Sequence, residues 1–141
     1  ILKVAPGKPV NFDPEEALSF EGDSGPYIQY TYVRTRALLE KGEASGMRPQ
    51  LAKEYITTDL ERMLYRFEEV ALQAAQEYAP HHIAHYLLLL AQAFNSWYAA
   101  NKVIDEDNKE LSTHRLAVTK AVGTVLKNGL HLLGIQTPER M

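Results

Sequence analysis

The chain has 141 residues, a formal net charge of −3, an apolar fraction of 45% and no cysteine. That is one domain's worth of chain, with no thiol for a disulfide or a thiolate metal site, and no apolar run near the ~18 residues that cross a bilayer. The acidic balance argues against sequence-blind binding of nucleic acid, which needs a dense basic surface, but leaves open the stacking of a few unpaired bases.

Residues 1–22 differ from the rest. Pro6, Gly7 and Pro9 punctuate a turn, and "NFDPEEALSF" reads as a short helix with Asp13 as cap, Pro14 in the first position and Glu15–Glu16 at the positive end of the dipole. "EGDSG" then breaks the chain, so 1–22 is expected to be a leader or linker. No signal peptide is visible. Because the first residue is Ile1 rather than Met, the chain is expected to begin inside something longer.

From Gly25 the pattern turns helical. Asp23 or Ser24 can cap, Pro26 falls in the first turn, and Lys41–Gly42 marks the stop. Three tyrosines and two arginines occupy residues 27–36 of this helix. Tyr27, Tyr30 and Arg34 stand at i, i+3 and i+7, on one face and over about 10 Å of axis. Two rings and a guanidinium in a row can stack unpaired bases and hold a phosphate. They can equally be packing residues with their hydroxyls at the rim, and on spacing alone packing has the better claim. Ile28, Val33, Leu38 and Leu39 are available to build the core instead.

"EASGMRPQ" is a loop. A second helical region is expected over Leu51–Ala79, with a break near Thr57 or near Phe67, because Thr57–Thr58–Asp59 offers a cap and Glu61 follows at capping-box spacing. Pro80 begins the next helix, with Ile83, Leu87, Leu90, Phe94 and Trp97 at helical period. Leu88 and Leu89 widen that stripe and make this the central helix. Trp97 continues the stripe and is assigned to the core; Tyr98, about 100° further round, leaves it and can reach solvent or a ligand. "DEDNKE" is a polar connector. The last helix spans about Asn108–Leu133, with Leu111, Val118, Val122, Val125 and Leu132 near one face, Leu126 and Leu133 beside them, and Gly134 as C-cap. Gly123 and Gly129 inside it cost ~1 kcal/mol each in propensity, which points to close helix packing. The expected architecture is an all-α bundle of about five helices with antiparallel neighbours.

Little else carries chemistry. His81 and His85 stand four apart, as a two-ligand metal pair would, but only Glu77 lies near as a third ligand and no HExxH motif is present, so they are read as surface or capping histidines. Glu15, Glu16, Glu61, Glu68 and Glu69 read as helix starts or solvated faces. There is no nucleophile–base constellation and no phosphate-cradling glycine loop.

Three ordered segments carry a resemblance. "FEGDSGPYIQYTYVRTRALL" resembles the junction segment of arginyl-tRNA synthetases, "YAPHHIAHYLLLLAQAFNSWY" their later Pro-His…Phe-Asn…Tyr pattern, and "HRLAVTKAVGTVLKNGLHLLGIQTPERM" their C-terminus, ending on the same methionine. The match covers nearly the whole chain and is least distinctive over residues 42–58. The resemblance implies the helical anticodon-binding domain of a class I synthetase at 23–141, with 1–22 as the tail of the catalytic region. The Asp-Ala-Leu-Arg tetrapeptide for which such domains are named does not occur here.

By this resemblance Tyr27, Tyr30, Arg34, Tyr98 and Met141 match the tRNA-contacting positions, and the tyrosines and arginine hold splayed anticodon-loop bases. Arg36 is a weaker candidate, equally a solvated or inter-domain cation. The HIGH-like and KMSKS-like motifs of the catalytic domain are not in these residues. The chain is therefore expected to bind tRNA-Arg and not to charge it, with no cofactor of its own; ATP and magnesium would serve the parent enzyme. A cytoplasmic monomer attached to its catalytic domain, with no membrane contact, is the implied setting. The alternative is a stand-alone helical protein-interaction module.

Overall fold

Ser24 starts the first long helix. Its Oγ accepts the Tyr27 N–H at 3.1 Å, and Pro26, which has no N–H to leave unpaired, sits in the first turn. The computed structural model describes residues 4–9, 11, 13–15 and 24–141. Within them lie α1 (Gly25–Ala44), α2 (Asp59–Tyr65), α3 (Phe67–Gln76), α4 (His81–Ala100) and α5 (Lys109–Leu132). The described residues contain no strand, in keeping with the all-α bundle. Of the short helix expected after Asn11, only Pro14 and Glu15 are described, with the Glu15 N–H on Asp13 Oδ1 at 2.9 Å. The remainder of that helix, Asp23 as a cap and the boundary at 22/23 lie outside the described residues.

Helix does not begin at Leu51. Residues 51–58 are irregular, and both expected breaks occur: α2 starts after Thr58, and only Arg66 separates α2 from α3. Leu51, Tyr55 and Ile56 are exposed, so residues 51–58 have no apolar stripe to bury. Their backbone bonds elsewhere, with Gln50 N–H on Thr113 O at 3.0 Å and Ala52 N–H on His114 Nδ1 at 3.4 Å. At Thr58 the capping box forms as expected, Glu61 accepting the Thr58 N–H at 2.7 Å. α3 ends in a Schellman motif with Tyr78 at φ 51° where glycine is usual, and Pro80 then starts α4.

α4 is the central helix: Leu87, Leu90, Ala91 and Phe94 are fully buried, and it packs against all four others. Burying each of the larger side chains stabilises the fold by roughly 1.5–3 kcal/mol. Leu88 joins the core, whereas Leu89 faces solvent and Trp97 is half-buried. On α1 the core residues are Ile28, Thr31, Tyr32 and Thr35, with Val33, Leu38 and Leu39 only partly buried.

The buried face of α5 is turned from the expected one. Val118, Val122 and Leu126 are buried, but Leu111 and Leu132 are exposed, and Leu116 and Leu130 take their places. Small residues cause the rotation. A methyl added at Gly123 would lie 2.5 Å from Thr35 Oγ1, and one at Gly129 2.6 Å from Leu87 Cδ2. α1 and α4 thus press onto the glycine face. The pairings Thr35–Gly123 and Gly42–Leu116 run α1 antiparallel to α5, and Leu87–Gly129 and Asn101–Arg115 do the same for α4. α1 and α4 therefore lie parallel, side by side.

Candidate nucleic-acid interface

The parallel pair α1/α4 brings together residues 60 and more positions apart. Asn95 of α4 is the junction. Its Nδ2 donates to Tyr27 Oη at 2.9 Å and to Thr31 Oγ1 at 3.0 Å, and its Oδ1 accepts from Arg34 Nη1 at 2.6 Å. Thr31 is itself fixed by donating to Tyr27 O at 2.9 Å. The Arg34 guanidinium carbon then lies 4.9 Å from the Tyr30 ring centre and 5.3 Å from that of Tyr98, within cation–π range of both. Tyr98 is backed by the fully buried Phe94, with ring centres 6.3 Å apart and planes 19° from parallel. Tyr30 and Tyr98 are each more than a third exposed, so the ring–cation–ring stack opens to solvent.

Four of the five site residues read from the sequence, Tyr27, Tyr30, Arg34 and Tyr98, form one cluster. Met141 is 49% exposed and belongs to the tail that α1 tethers upstream, where Gln29 Nε2 donates to Gln136 O at 2.8 Å. Arg36 lies apart, ion-paired with Glu40 on its own helix at 3.2 Å. Arg34 has no ion-pair partner among the described residues.

Asn95 was missed by the spacing argument. The signal lay in "FNSWY": an amide of poor helix propensity, inside an apolar helix, three residues before Tyr98.

Elsewhere, His82 Nε2 lies 2.9 Å from Glu77 Oε2, and hydrogen bonds from Gln73 and His82 hold the Glu77 carboxyl below its ordinary range. Among the described residues no group of three or more potential ligands could hold a metal. Glu61 is more than a helix start. Its side chain is largely buried and lies 3.8 Å from His114 Nε2, in a cavity of about 740 Å³ that Tyr55, Trp97, Asn101 and Arg115 also line.

The model of the DALR anticodon binding domain family matches residues 28–141. The chain belongs to this family. It is 36% identical to an arginine–tRNA ligase of Parabacteroides distasonis and 41% identical to one of Ignicoccus hospitalis, in each case over its whole length. It spans only about a quarter of these relatives, 25% and 23%. The arginyl-tRNA synthetase structure of Thermus thermophilus superposes on 99% of the chain with a TM-score of 0.87 at 37% identity, again through 25% of that protein. The Plasmodium falciparum enzyme shares the fold, with a TM-score of 0.78 at 22% identity. The resemblance drawn from three sequence segments is thus borne out, and so is the helical DALR domain. No helix among the described residues is long and apolar enough to cross a membrane.

Proposed function

We propose that this DALR domain binds the anticodon loop of tRNA-Arg, as the RNA-contacting part of a longer cytoplasmic, monomeric arginine–tRNA ligase. One observation carries the reading: a guanidinium with no acidic partner among the described residues, held between two exposed tyrosine rings. Tyr30 and Tyr98 offer faces to unstacked bases, Arg34 offers donors and charge, Tyr27 frames the cluster, and Met141 completes the surface from the chain terminus. In this reading 23–141 is the binding domain and 1–22 the tail of a catalytic region, whose arginine activation would use ATP and magnesium.

The test is titration with an arginine anticodon stem-loop beside one with a changed anticodon, using both this chain and the protein at its natural full length. Preference for the arginine loop is expected. Tyr30→Ala should cost ~1–3 kcal/mol, the usual worth of one stacked base. Equal affinity of the full-length protein for the two loops would overturn the assignment.

A further inference from the structure

We infer that Asn95 is the positioning residue of the RNA face, an inference that rests on the reading just given. The geometry leaves one orientation for its amide. A guanidinium carries donors and no acceptor, so the atom 2.6 Å from Arg34 Nη1 must be the Asn95 oxygen. The nitrogen is then turned to the Tyr27 and Thr31 oxygens, and both of its hydrogens are spent. Asn95 is thereby locked by α1, and Arg34 is locked by Asn95.

This lock has two consequences for RNA. A free arginine side chain loses much rotamer freedom when it binds; here that freedom is lost beforehand, in the folded protein. Of the five guanidinium N–H donors, one goes to Asn95 and one is directed at Tyr30 Oη, 3.4 Å away, which leaves three for other acceptors. Those acceptors can be a phosphate or the edge of an unstacked base. The second consequence is electrostatic. An aspartate at 95 could also accept from the guanidinium, but would cancel its charge and could not donate to the Tyr27 and Thr31 oxygens. A neutral amide fixes Arg34 and leaves the positive charge for the RNA.

The experiment compares Asn95→Ala, Asn95→Asp, Arg34→Ala and wild type at natural full length. Affinity for the arginine anticodon stem-loop is measured from low to moderate salt, and thermal unfolding gives the folded fraction. Asn95→Ala should lose about tenfold in affinity, the worth of a charge-assisted bond, with the salt slope kept because Arg34 remains charged. Asn95→Asp should lose at least as much and also flatten the salt dependence, with Arg34 now neutralised. A merely structural role would not separate the two variants in slope.

Arg34→Ala distinguishes the acceptor. A slope reduced by about 0.7 marks a phosphate and supports the inference; an affinity loss at constant slope marks a base edge and would overturn the electrostatic consequence, leaving only the positioning. Wild-type affinity in both folded Asn95 variants, with Arg34→Ala impaired, would overturn the role of Asn95 and spare the RNA face. Wild-type affinity in Arg34→Ala as well would overturn both.

Discussion

Missing Cβ atoms at Gly123 and Gly42 let α1 and α5 approach closely. Alanine at Gly123 would gain about 1 kcal/mol of helix propensity, but its methyl would meet Thr35 Oγ1 at 2.5 Å and Thr35 Cβ at 3.3 Å. Thr35 cannot turn away freely: it is fully buried and its hydroxyl donates to Tyr32 O at 2.7 Å. Overpacking of this kind costs about 1–3 kcal/mol, so Gly123→Ala should be destabilising on balance in urea unfolding. Adding Thr35→Ala should recover part of the loss, because the two sites share one contact. Strict additivity would show that the clash is absorbed elsewhere.

Tyr86 provides a pH signature at the same scale. Its hydroxyl donates to Met63 O at 2.8 Å, and burial pushes the phenol up to about 12, against the opposing influence of Arg66. A raised folded pKa means that the folded state holds this proton more tightly than the unfolded chain does. The contribution is therefore complete below pH 10 and lost between about 10 and 12. The hydroxyl is only partly shielded, so the loss should be about 1–2 kcal/mol rather than the full value of the shift. Tyr86→Phe should be less stable than wild type at pH 9 and lose less between pH 9 and 12. Parallel curves for the two proteins would refute this.

The elements join these residue effects to the site. α1 carries three of the proposed RNA contacts, and its first turn is held by Ser24, whose Oγ takes the Tyr27 N–H. Ser24→Ala should cost about 1 kcal/mol of stability and loosen Tyr27, lowering RNA affinity more than the loss of folded protein explains. Unchanged affinity at the reduced stability would separate the cap from the site. This cap was legible in the sequence because capping chemistry is local, as were Pro80, the box at Thr58–Glu61 and the glycine stop at Gly134. The facing of α5 was not legible. Leu111 and Leu132 fit the apolar period, yet the small Gly123 and Gly129 determine which side the neighbours approach, and that depends on Thr35 and Leu87 from other helices. The pairing of Arg34 with Asn95 was hidden for the same reason: 61 residues separate them, and only the parallel packing of α1 and α4 makes them neighbours.

At the scale of the whole molecule, the C-terminal half of α4 serves two different surfaces. Asn95 and Tyr98 meet α1 at the proposed RNA face, while Trp97 and Asn101 line the cavity beneath residues 52–58. That irregular segment is fastened to α5. The Tyr55 ring lies 4.3 Å from the His114 ring, Ala52 N–H bonds His114 Nδ1, and Gln50 N–H bonds Thr113 O. His114 is therefore the shared anchor, and none of its contacts reaches the Tyr30–Arg34–Tyr98 stack. His114→Ala should release the segment, so that limited proteolysis cuts within residues 51–58 markedly faster than in wild type. Loss of the buried ring should lower global stability by about 1–2 kcal/mol. Affinity for the arginine stem-loop should stay at the wild-type value once the folded fraction is accounted for. Unchanged proteolysis would show that Gln50 and the backbone hold the segment alone. A fall in affinity alongside faster cutting would mean that α4 transmits the state of the cavity to the RNA face, and that the two surfaces are one coupled site.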